Sequence, residues 1–299
     1  MVDCGINLIM MKCLSLIFTI FSFIQLSNAQ NYEIGVLAGI SNYNGDLIPK
    51  KSAEALRHSH FSISPFLKYK LNSYFDIRSS ITYCKISGDD ALVSELNQRK
   101  RNLSFSTSIF EISIGFDYNL LGYIPQNLTK PLSPYLHLGI AGYHFDPTTI
   151  YQGKTIHLQP VGTEGQGMSG FNKKYSLNQI SIPFGGGLKY ALSDRINVGI
   201  ELNLRKTFTD YLDDVSGNYV NYYELLNGNG MIAAALGNRT GELLGTKPEQ
   251  LPTGAQRGNP RLKDWYVIFG AQFSYNFTGK SNNFTIKNRY KNKMGCPSF

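Results

Sequence analysis

The segment from Asp264 to Phe277 constrains the fold most, because every second residue in it is apolar or aromatic. The residues on this face are Trp265, Val267, Phe269, Ala271, Phe273, Tyr275 and Phe277. A period of two over this length predicts a long β-strand with one face in an apolar medium. The segment exceeds the ~5–6 residues of a typical globular strand and is long enough for a membrane-crossing strand of ~9–11 residues.

Seven further alternating runs precede this segment, at residues 32–42, 61–69, 74–86, 104–120, 135–143, 179–190 and 196–208. The links are short after the second and sixth runs, intermediate after the fourth, and long after the other four. Outer-membrane barrels show this asymmetry, because their periplasmic turns are short and their extracellular loops are long. The sequence therefore predicts an all-β fold: an eight-stranded antiparallel transmembrane β-barrel with long extracellular loops and a short periplasmic C-terminal tail.

The N-terminal residues indicate export. Lys12, an apolar run over residues 14–24 and the small residues Ser27 and Ala29 form a secretion signal, with cleavage expected near Gln30. Export to the cell outer membrane makes its lipids the expected surroundings and argues against nucleic acid as a partner, despite a net charge of +8. We expect three parts: a signal peptide at 1–29, an outer-membrane β-barrel at 30–277 and a basic periplasmic tail at 278–299.

A soluble lipocalin-like barrel would show the same alternation with its apolar face turned inward. The polar faces favour a membrane barrel, because they carry small residues and isolated charges rather than the many Lys and Glu of a water-exposed wall. These charges are Glu33, Arg78, Glu111, Glu201 and Arg205. The narrow lumen of eight strands has room for small residues and a few paired charges. We therefore predict that these five side chains form a charge network inside the barrel.

The sequence contains no catalytic constellation, and neither a cofactor nor a metal is expected. Some eight-stranded barrels are lipid-modifying enzymes with a serine and a histidine on the outer wall, and His137 is the best candidate because it lies within a run. No GxSxG sequence accompanies it. His58 and His60 form an H-x-H pair, which supplies too few ligands for a metal ion. We therefore expect a protein that is not an enzyme.

The densest polar segment follows the seventh run. Asp210, Tyr211, Asp213 and Asp214 crowd a short stretch, and residues 231–236 beyond it predict a short helix, so we expect a structured loop. Three carboxylates suit calcium, which takes 6–8 oxygen ligands, but the spacing lacks the glycine and terminal glutamate of an EF-hand. The alternative is that these aspartates cap turns, with nearby basic side chains as counter-ions.

Four segments resemble the PorG-like outer-membrane barrels, a family within the type IX secretion system of Bacteroidota-type Gram-negative bacteria. They are YEIGVLAGISNYNGDL (32–47), RKTFTDYLDDVSGNYV (205–220), DWYVIFG (264–270) and CPSF (296–299). Ser298 stands where the family pattern has a basic residue. The resemblance implies a non-enzymatic barrel that associates with a periplasmic ring of PorK and PorN, near the machinery that exports proteins and drives gliding motility. An outer-membrane small-solute pore or a lipid-modifying barrel enzyme is the alternative.

The tail is the expected docking element, because it follows the last strand and carries basic residues without an acid. Its candidate docking residues are Lys287, Arg289, Lys291, Lys293, Cys296 and Phe299. A basic segment attracts acidic partners over about a Debye length, ~8 Å at physiological salt. A solvated tail without a partner is the alternative. Cys84 is expected near the opposite end of the barrel, ~25 Å away, so a disulfide to Cys296 is not expected.

Overall fold

The structure is a computed structural model, and it describes residues 31–47, 56–93, 95–123, 131–193 and 195–277. The expected signal peptide at 1–29 and the expected tail at 278–299 lie outside the described residues. All eight predicted runs lie within them, so the barrel can be followed strand by strand.

Nine strands are described, and eight of them correspond to the eight predicted runs. They are β1 (Tyr32–Asn44), β2 (His60–Lys70), β3 (Phe75–Asp89), β4 (Ser104–Asn119), β5 (Leu132–Tyr151), β6 (Lys154–His157), β7 (Asn178–Ala191), β8 (Ile196–Thr207) and β9 (Trp265–Phe277). Most boundaries agree with the predicted runs to within three residues. The exceptions are β5, which is longer at both ends, and β6, which the sequence did not predict.

The eight long strands close into a barrel in which all neighbours are antiparallel. Their order is β4-β3-β2-β1-β9-β8-β7-β5, and β4 also pairs with β5. The first and last strands pair over their whole length, from Tyr32 opposite Phe277 to Asn44 opposite Trp265. Closure leaves no edge strand among the eight. The prediction of a closed eight-stranded antiparallel barrel is confirmed.

Around the membrane belt the apolar face of each strand points outward, whereas near the long-loop end inward side chains such as Ile86, Ile109 and Phe145 are apolar and buried. On β4, Phe110, Ile112 and Ile114 are about half exposed, whereas the alternating Glu111 is fully buried. An apolar belt around a closed barrel suits the hydrocarbon layer of a membrane, where every backbone polar group must be paired internally. The belt ends on one side in a girdle of aromatic residues: Tyr32, Tyr69, Tyr74, Phe75, Tyr118, Tyr190, Tyr275 and Phe277. This arrangement excludes the soluble barrel with an apolar interior.

The two ends of the barrel differ in the length of their connections. The short-turn end carries the aromatic girdle, the start of β1 and the end of β9. The described residues of the long-loop end include five α-helices: α1 (Leu96–Arg101), α2 (Leu158–Val161), α3 (Tyr222–Gly228), α4 (Met231–Gly237) and α5 (Thr240–Leu244). The helix predicted at 231–236 is confirmed as α4. None of the helices in the described ranges is long and apolar enough to cross a membrane.

The predicted loop at 144–178 is wrong in its first part, where β5 continues and turns back as β6. Thr148 pairs with His157 and Tyr151 with Lys154 in this hairpin. The outward side chains of this part include His144 and Asp146. It therefore lies beyond the apolar belt, and the hydrophobic alternation that reveals a membrane strand is absent there.

Candidate functional site: a charge-filled lumen and a folded lid

The barrel lumen is lined with charged side chains that lie at alternate strand positions. Nine of them are buried, five acidic and four basic: Glu33, Asp76, Glu111, Asp117, Glu201, Lys68, Arg78, Lys189 and Arg205. The half-buried Lys70 at the end of β2 makes the numbers equal. Burying a charge is costly unless it is paired and hydrogen-bonded. Cross-lumen partners are therefore the central feature of this interior.

One ion pair joins β3 to β8 across the lumen. Arg78 Nη1 donates to Glu201 Oε2 at 2.7 Å, and both side chains are almost fully buried. The Tyr135 hydroxyl on β5 donates to the same carboxylate oxygen at 2.5 Å. The Tyr135 ring has room because Gly187 lacks a side chain; a Cβ atom there would lie 2.8 Å from the tyrosine oxygen. Three strands are thus joined through one carboxylate.

A second ion pair lies closer to the long-loop end. Arg205 Nε is 3.5 Å from Glu111 Oε1, and both side chains are buried. The Tyr266 hydroxyl donates to Glu111 Oε2 at 2.5 Å, and the Ser181 hydroxyl donates to the same atom at 3.4 Å. Glu111 on β4 is therefore tied to three other strands: β7, β8 and β9.

The remaining pairs lie toward the short-turn end. Lys189 Nζ is 3.4 Å from Glu33 Oε2 and 4.0 Å from Asp76 Oδ2. The Ser274 hydroxyl donates to the other oxygen of Glu33 at 2.6 Å. Lys68 Nζ lies 2.7 Å from Asp117 Oδ2. These contacts place cations and carboxylates of five different strands in one interior layer.

His137 lies inside the lumen, so its candidacy as an outer-wall catalytic histidine is wrong. Its side chain is buried, with Nδ1 2.7 Å from Asp117 Oδ1. The physical reason is the strand period: Leu136 and Leu138 point to lipid, and the residue between them must point inward. The histidine contributes to the interior network on β5.

Tyr123 closes the short-turn end of the lumen. It lies just beyond β4, is 2% exposed and donates its hydroxyl to Asn197 Oδ1 at 2.6 Å. Asn276 Nδ2 donates to the same hydroxyl at 3.0 Å. The ammonium groups of Lys70 and Lys189 lie 4.2 Å and 3.8 Å from its ring centroid, as cation–π contacts.

The five predicted lumen charges all lie inside the barrel. The structure brings them together as two pairs, Arg78 with Glu201 and Arg205 with Glu111, whereas Glu33 faces Lys189. The prediction missed the other interior charges, which are Lys68, Lys70, Asp76, Asp117 and Lys189. The alternation itself was the available signal, because each of these residues stands between outward-facing neighbours.

The long-loop end is covered by a folded lid, defined as the described residues in 45–47, 56–59, 90–103, 152–177 and 208–264. Three segments that carried the family resemblance meet there. The hydroxyl oxygen of Tyr43 lies 2.7 Å from Asp213 Oδ2 and 2.8 Å from Asp264 Oδ1, and it accepts the Asp46 N–H at 2.9 Å. We call the contact of Tyr43 with these two carboxylates the Tyr43 joint.

Both carboxylates of the Tyr43 joint are buried and accept backbone hydrogen bonds from the lid. Val215 N donates to Asp213 Oδ1 and Leu212 N to Asp264 Oδ2, each at 2.9 Å. Burial raises the pKa of Asp213 well above its usual value, and the neighbouring charge of Asp264 raises it further. The pKa of Asp264 is also raised well above its usual value, mainly by burial.

The predicted loop motif lies in an ordered and largely buried segment. Asp210, Asp213 and Asp214 are each at most 2% exposed, while Tyr211 is half-buried and stacks on Tyr175 with ring centroids 4.5 Å apart. Burial raises the pKa of Asp210 to about 6. Among the described residues, no group of three or more His, Cys, Asp or Glu side chains is arranged to hold a metal ion.

Asp214 ties the motif to the connection between β6 and β7. It accepts hydrogen bonds from the Thr163 hydroxyl at 2.5 Å and from the Tyr175 hydroxyl at 2.7 Å. Its φ of 62° lies in the left-handed region, which aspartate tolerates better than most residues. Burial raises the pKa of Asp214 to about 6, although the Arg257 charge acts in the opposite direction.

Two arginines cross-link the lid loops. Arg101 binds both oxygens of Asp90 at 2.7 Å and 2.8 Å, and it also donates to the carbonyl oxygens of Asp46 and Arg257. Arg257 donates to Glu164 Oε1 at 2.8 Å and to the Asp214 carbonyl at 2.7 Å. The bidentate pair with Asp90 is the strongest type of side-chain contact available to arginine. The sequence alone gave no sign of these long-range pairs.

The candidate docking residues of the tail, Lys287, Arg289, Lys291, Lys293, Cys296 and Phe299, lie outside the described residues. Cys84 is buried in the barrel and its thiol is free. That Cys84 and Cys296 do not form a disulfide stays a prediction.

Three solved outer-membrane structures are similar to this chain in outline. They are Ail of Yersinia pestis (9% identity, TM-score 0.38, covering 82% of this chain and 98% of that one), the Neisserial surface protein NspA (10%, 0.38, 82% and 96%), and a major outer membrane protein of Thermus thermophilus (12%, 0.35, 82% and 98%). Such identities and scores carry no information on function.

No curated protein matches the sequence. A family profile described as "Domain of unknown function (DUF6089)" matches residues 11–232, which is well over half of the chain. The matched range covers seven of the eight barrel strands and the buried motif at residues 210–214. The chain therefore belongs to the DUF6089 family.

Proposed function

We propose that this outer-membrane barrel is a non-enzymatic anchor for a periplasmic ring of a type IX protein secretion and gliding machinery. Its partners in this proposal are ring proteins resembling PorK and PorN. The resemblance of residues 32–47, 205–220 and 264–270 supplies the identity of the system. The observation that supports anchoring is the filled and covered lumen.

The interior contacts weigh against solute transport. Arg78–Glu201 and Arg205–Glu111 cross the lumen, Tyr123 closes one end and the lid covers the other. Leaving one member of a buried ion pair without its partner costs ~3–5 kcal/mol. Opening these contacts to let a solute pass is therefore disfavoured. Because His137 points into the lumen, it is not on the outer wall, where it could act on lipids. The surfaces left for function are the two ends of the barrel.

The short-turn end faces the periplasm in this proposal, because periplasmic turns of such barrels are short. Strand β9 ends there at Phe277. The tail at 278–299 then starts on the side of the ring, and its basic residues carry the charge that attracts an acidic surface. The lid faces the cell exterior.

Co-purification tests the anchor. Full-length protein and a variant lacking residues 279–299 are solubilised from the outer membrane and purified, and bound ring proteins are identified by mass spectrometry. We expect both to fold as heat-modifiable barrels, with ring proteins retained only by the full-length chain. A matched full-length control replaces Lys287, Arg289, Lys291 and Lys293 with Gln. Ring proteins absent from the full-length sample refute the anchor; ring proteins retained by the truncated variant refute docking through the tail.

Surface labelling tests the orientation. Ser216 and Gly217 are unsuitable for a tag, because their N–H groups donate to Glu164 inside the lid. Gly254 is exposed, with a φ of 73° and no atom within 4 Å of the position that a Cβ atom would take, and its N–H donates to a backbone carbonyl, that of Tyr219, rather than to a buried carboxylate. A tag inserted at Gly254 is expected to react on intact cells. Reaction only after permeabilisation of the outer membrane would reverse the assigned orientation.

A further inference from the structure

The Tyr43 joint has more hydrogen-bond acceptors than its single hydroxyl proton can serve. A tyrosine hydroxyl donates once and has two lone pairs. One lone pair accepts the Asp46 N–H, and the proton is donated to one carboxylate, at 2.7 Å for Asp213 or 2.8 Å for Asp264. The contact to the second carboxylate is then oxygen against oxygen, with no hydrogen between them. A second proton, on that carboxylate, completes the set.

The backbone contacts locate this second proton. Asp213 Oδ1 accepts Val215 N–H and Asp264 Oδ2 accepts Leu212 N–H, so these two oxygens need no proton of their own. The remaining oxygens, Asp213 Oδ2 and Asp264 Oδ1, both face the Tyr43 hydroxyl. A proton on either of them donates to the free lone pair of the tyrosine. Every donor and acceptor of the joint is then satisfied.

The surrounding charges do not replace this proton. Arg101, whose charge also acts on Asp213, is paired with Asp90, and Arg257 is paired with Glu164. The titratable groups whose charges act on Asp213 or Asp264 include Asp46, Arg101, Tyr143, Tyr175 and Asp210. Carboxylates outnumber cations in this set. Two buried carboxylates in contact with one oxygen atom cannot both ionise at low cost.

We infer that Asp213 and Asp264 share one proton through Tyr43, so that the joint between lid and barrel is a proton-binding site. Tyr43 lies at the end of β1 and Asp264, the last residue of the lid, directly precedes β9, whereas Asp213 lies in the lid segment 209–216. The shared proton therefore fixes the lid segment 209–216 to the barrel rim. Its release leaves two negative charges at the joint and weakens the attachment of that segment. The inference is independent of any secretion role.

Hydrogen exchange of the full-length protein in lipid nanodiscs tests for the shared proton, because it measures how the opening of the joint depends on pH. When the joint opens, Asp213 and Asp264 return to the pKa of an ordinary aspartate, ~3.9. At neutral pH the opened joint therefore releases the shared proton. Asp210 and Asp214, whose pKa values are about 6, have already lost theirs above pH 7. Between pH 7 and 8 we expect the Leu212 and Val215 amides to exchange about tenfold faster per pH unit beyond the intrinsic chemical increase.

Two substitutions at the joint and one control complete the test. Asp213→Asn and Asp264→Asn each replace the protonated carboxyl with an amide that can still donate to Tyr43. In both variants we expect the extra tenfold dependence to disappear. Glu242→Gln removes a lid carboxylate from an exposed pair with Arg239 and should retain it. Equal pH dependence in wild type and both amide variants, or its absence in wild type, overturns the inference.

Infrared spectroscopy of the wild type does not depend on the variants folding. A shared proton predicts a protonated carboxyl band at pH 7 that disappears when the lid is unfolded. A spectrum with only ionised carboxylates at pH 7 contradicts the shared proton.

Discussion

The lumen and the lid bury charge in opposite ways. The lumen buries five acidic and four basic side chains, with half-buried Lys70 nearby, and its pairs cross from one wall to another. The buried charges of the lid are five carboxylates and one guanidinium: Asp90, Asp210, Asp213, Asp214, Asp264 and Arg257. Cations neutralise the lumen, whereas backbone N–H groups, hydroxyls and protons must neutralise most of the lid.

Because of this difference, the stability of the lid depends on the protonation of its carboxylates more than the stability of the lumen does. A carboxylate paired with arginine keeps its partner over a wide pH range, because arginine does not lose its proton in proteins. A carboxylate that is buried without a cation is stable only while protonated or fully hydrogen-bonded. The lumen is thus suited to hold the barrel closed, and the lid to respond to its surroundings. The predictions below test that separation.

Loss of one lumen charge should have the largest effect. Glu201→Leu leaves the buried guanidinium of Arg78 without its carboxylate, and we expect the barrel to lose about 3–5 kcal/mol of stability. Urea unfolding of the barrel in lipid vesicles measures the change. The double variant Arg78→Met, Glu201→Leu is the matched control and should regain most of the loss. A single variant within 1 kcal/mol of wild type would show that this pair does not stabilise the lumen.

Loss of a lid cation should affect the lid alone. Arg257→Met removes the contacts to Glu164, to the Asp214 carbonyl and to the Gly237 carbonyl. We expect the lid to lose about 3 kcal/mol, because Glu164 keeps its buried charge without its arginine. Limited proteolysis should then cut residues 208–264 faster, with the unfolding midpoint of the barrel unchanged. A parallel loss of barrel stability would mean that lid and lumen form one cooperative unit.

Acid should stabilise the lid. The pKa of Asp214 is raised to about 6 in the folded lid, above the ~3.9 of an unfolded aspartate. The folded lid therefore binds more protons between these values, and its stability is greatest below pH 4 and falls as pH rises to 6. Linkage gives about 1.4 kcal/mol per pH unit for one proton. Protease protection of residues 208–264 should decline across this interval in wild type and less in Asp214→Asn. Protection that rises with pH would contradict this sign.

An exposed lid pair should contribute least. Arg239 and Glu242 form an ion pair one helical turn apart at 2.8 Å, with the glutamate partly open to solvent. Such pairs contribute about 0–1 kcal/mol, because water and salt screen them. Glu242→Gln should leave lid protection within a factor of a few of wild type. A loss of protease protection as large as that in Arg257→Met would show that solvent exposure does not determine how much a lid ion pair contributes.

The alternation of outward and inward side chains allowed the barrel strands to be predicted from the sequence. Contacts that this alternation does not encode were missed. Alternation located eight strands and their outward faces, including the inward position of Arg78 and Glu111. It does not give the relative register of strands on opposite walls, so the partner of Glu33 is Lys189 rather than a predicted arginine.

The lid lay further beyond prediction, because it depends on pairs distant in sequence. Arg257 reaches Glu164, and Tyr43 reaches Asp213 and Asp264, with no local pattern to mark either contact. Helix α4 was the exception, since residues 231–236 form a local run of helix-favouring side chains. The β5–β6 hairpin was missed because most of its outward side chains are polar, so the hydrophobic alternation of the membrane strands ends before it.

Conductance through the barrel tests the central claim most directly. Purified full-length protein is inserted into a planar lipid bilayer, and single-channel current is recorded at neutral pH. A lumen filled by cross-wall ion pairs and covered at both ends predicts no discrete current steps in wild type. The variant Arg78→Ala, Glu201→Ala is the comparison, since it removes the best-paired contact while keeping the lumen neutral. Stable, reproducible channels in wild type would contradict a closed anchor and restore the small-solute pore.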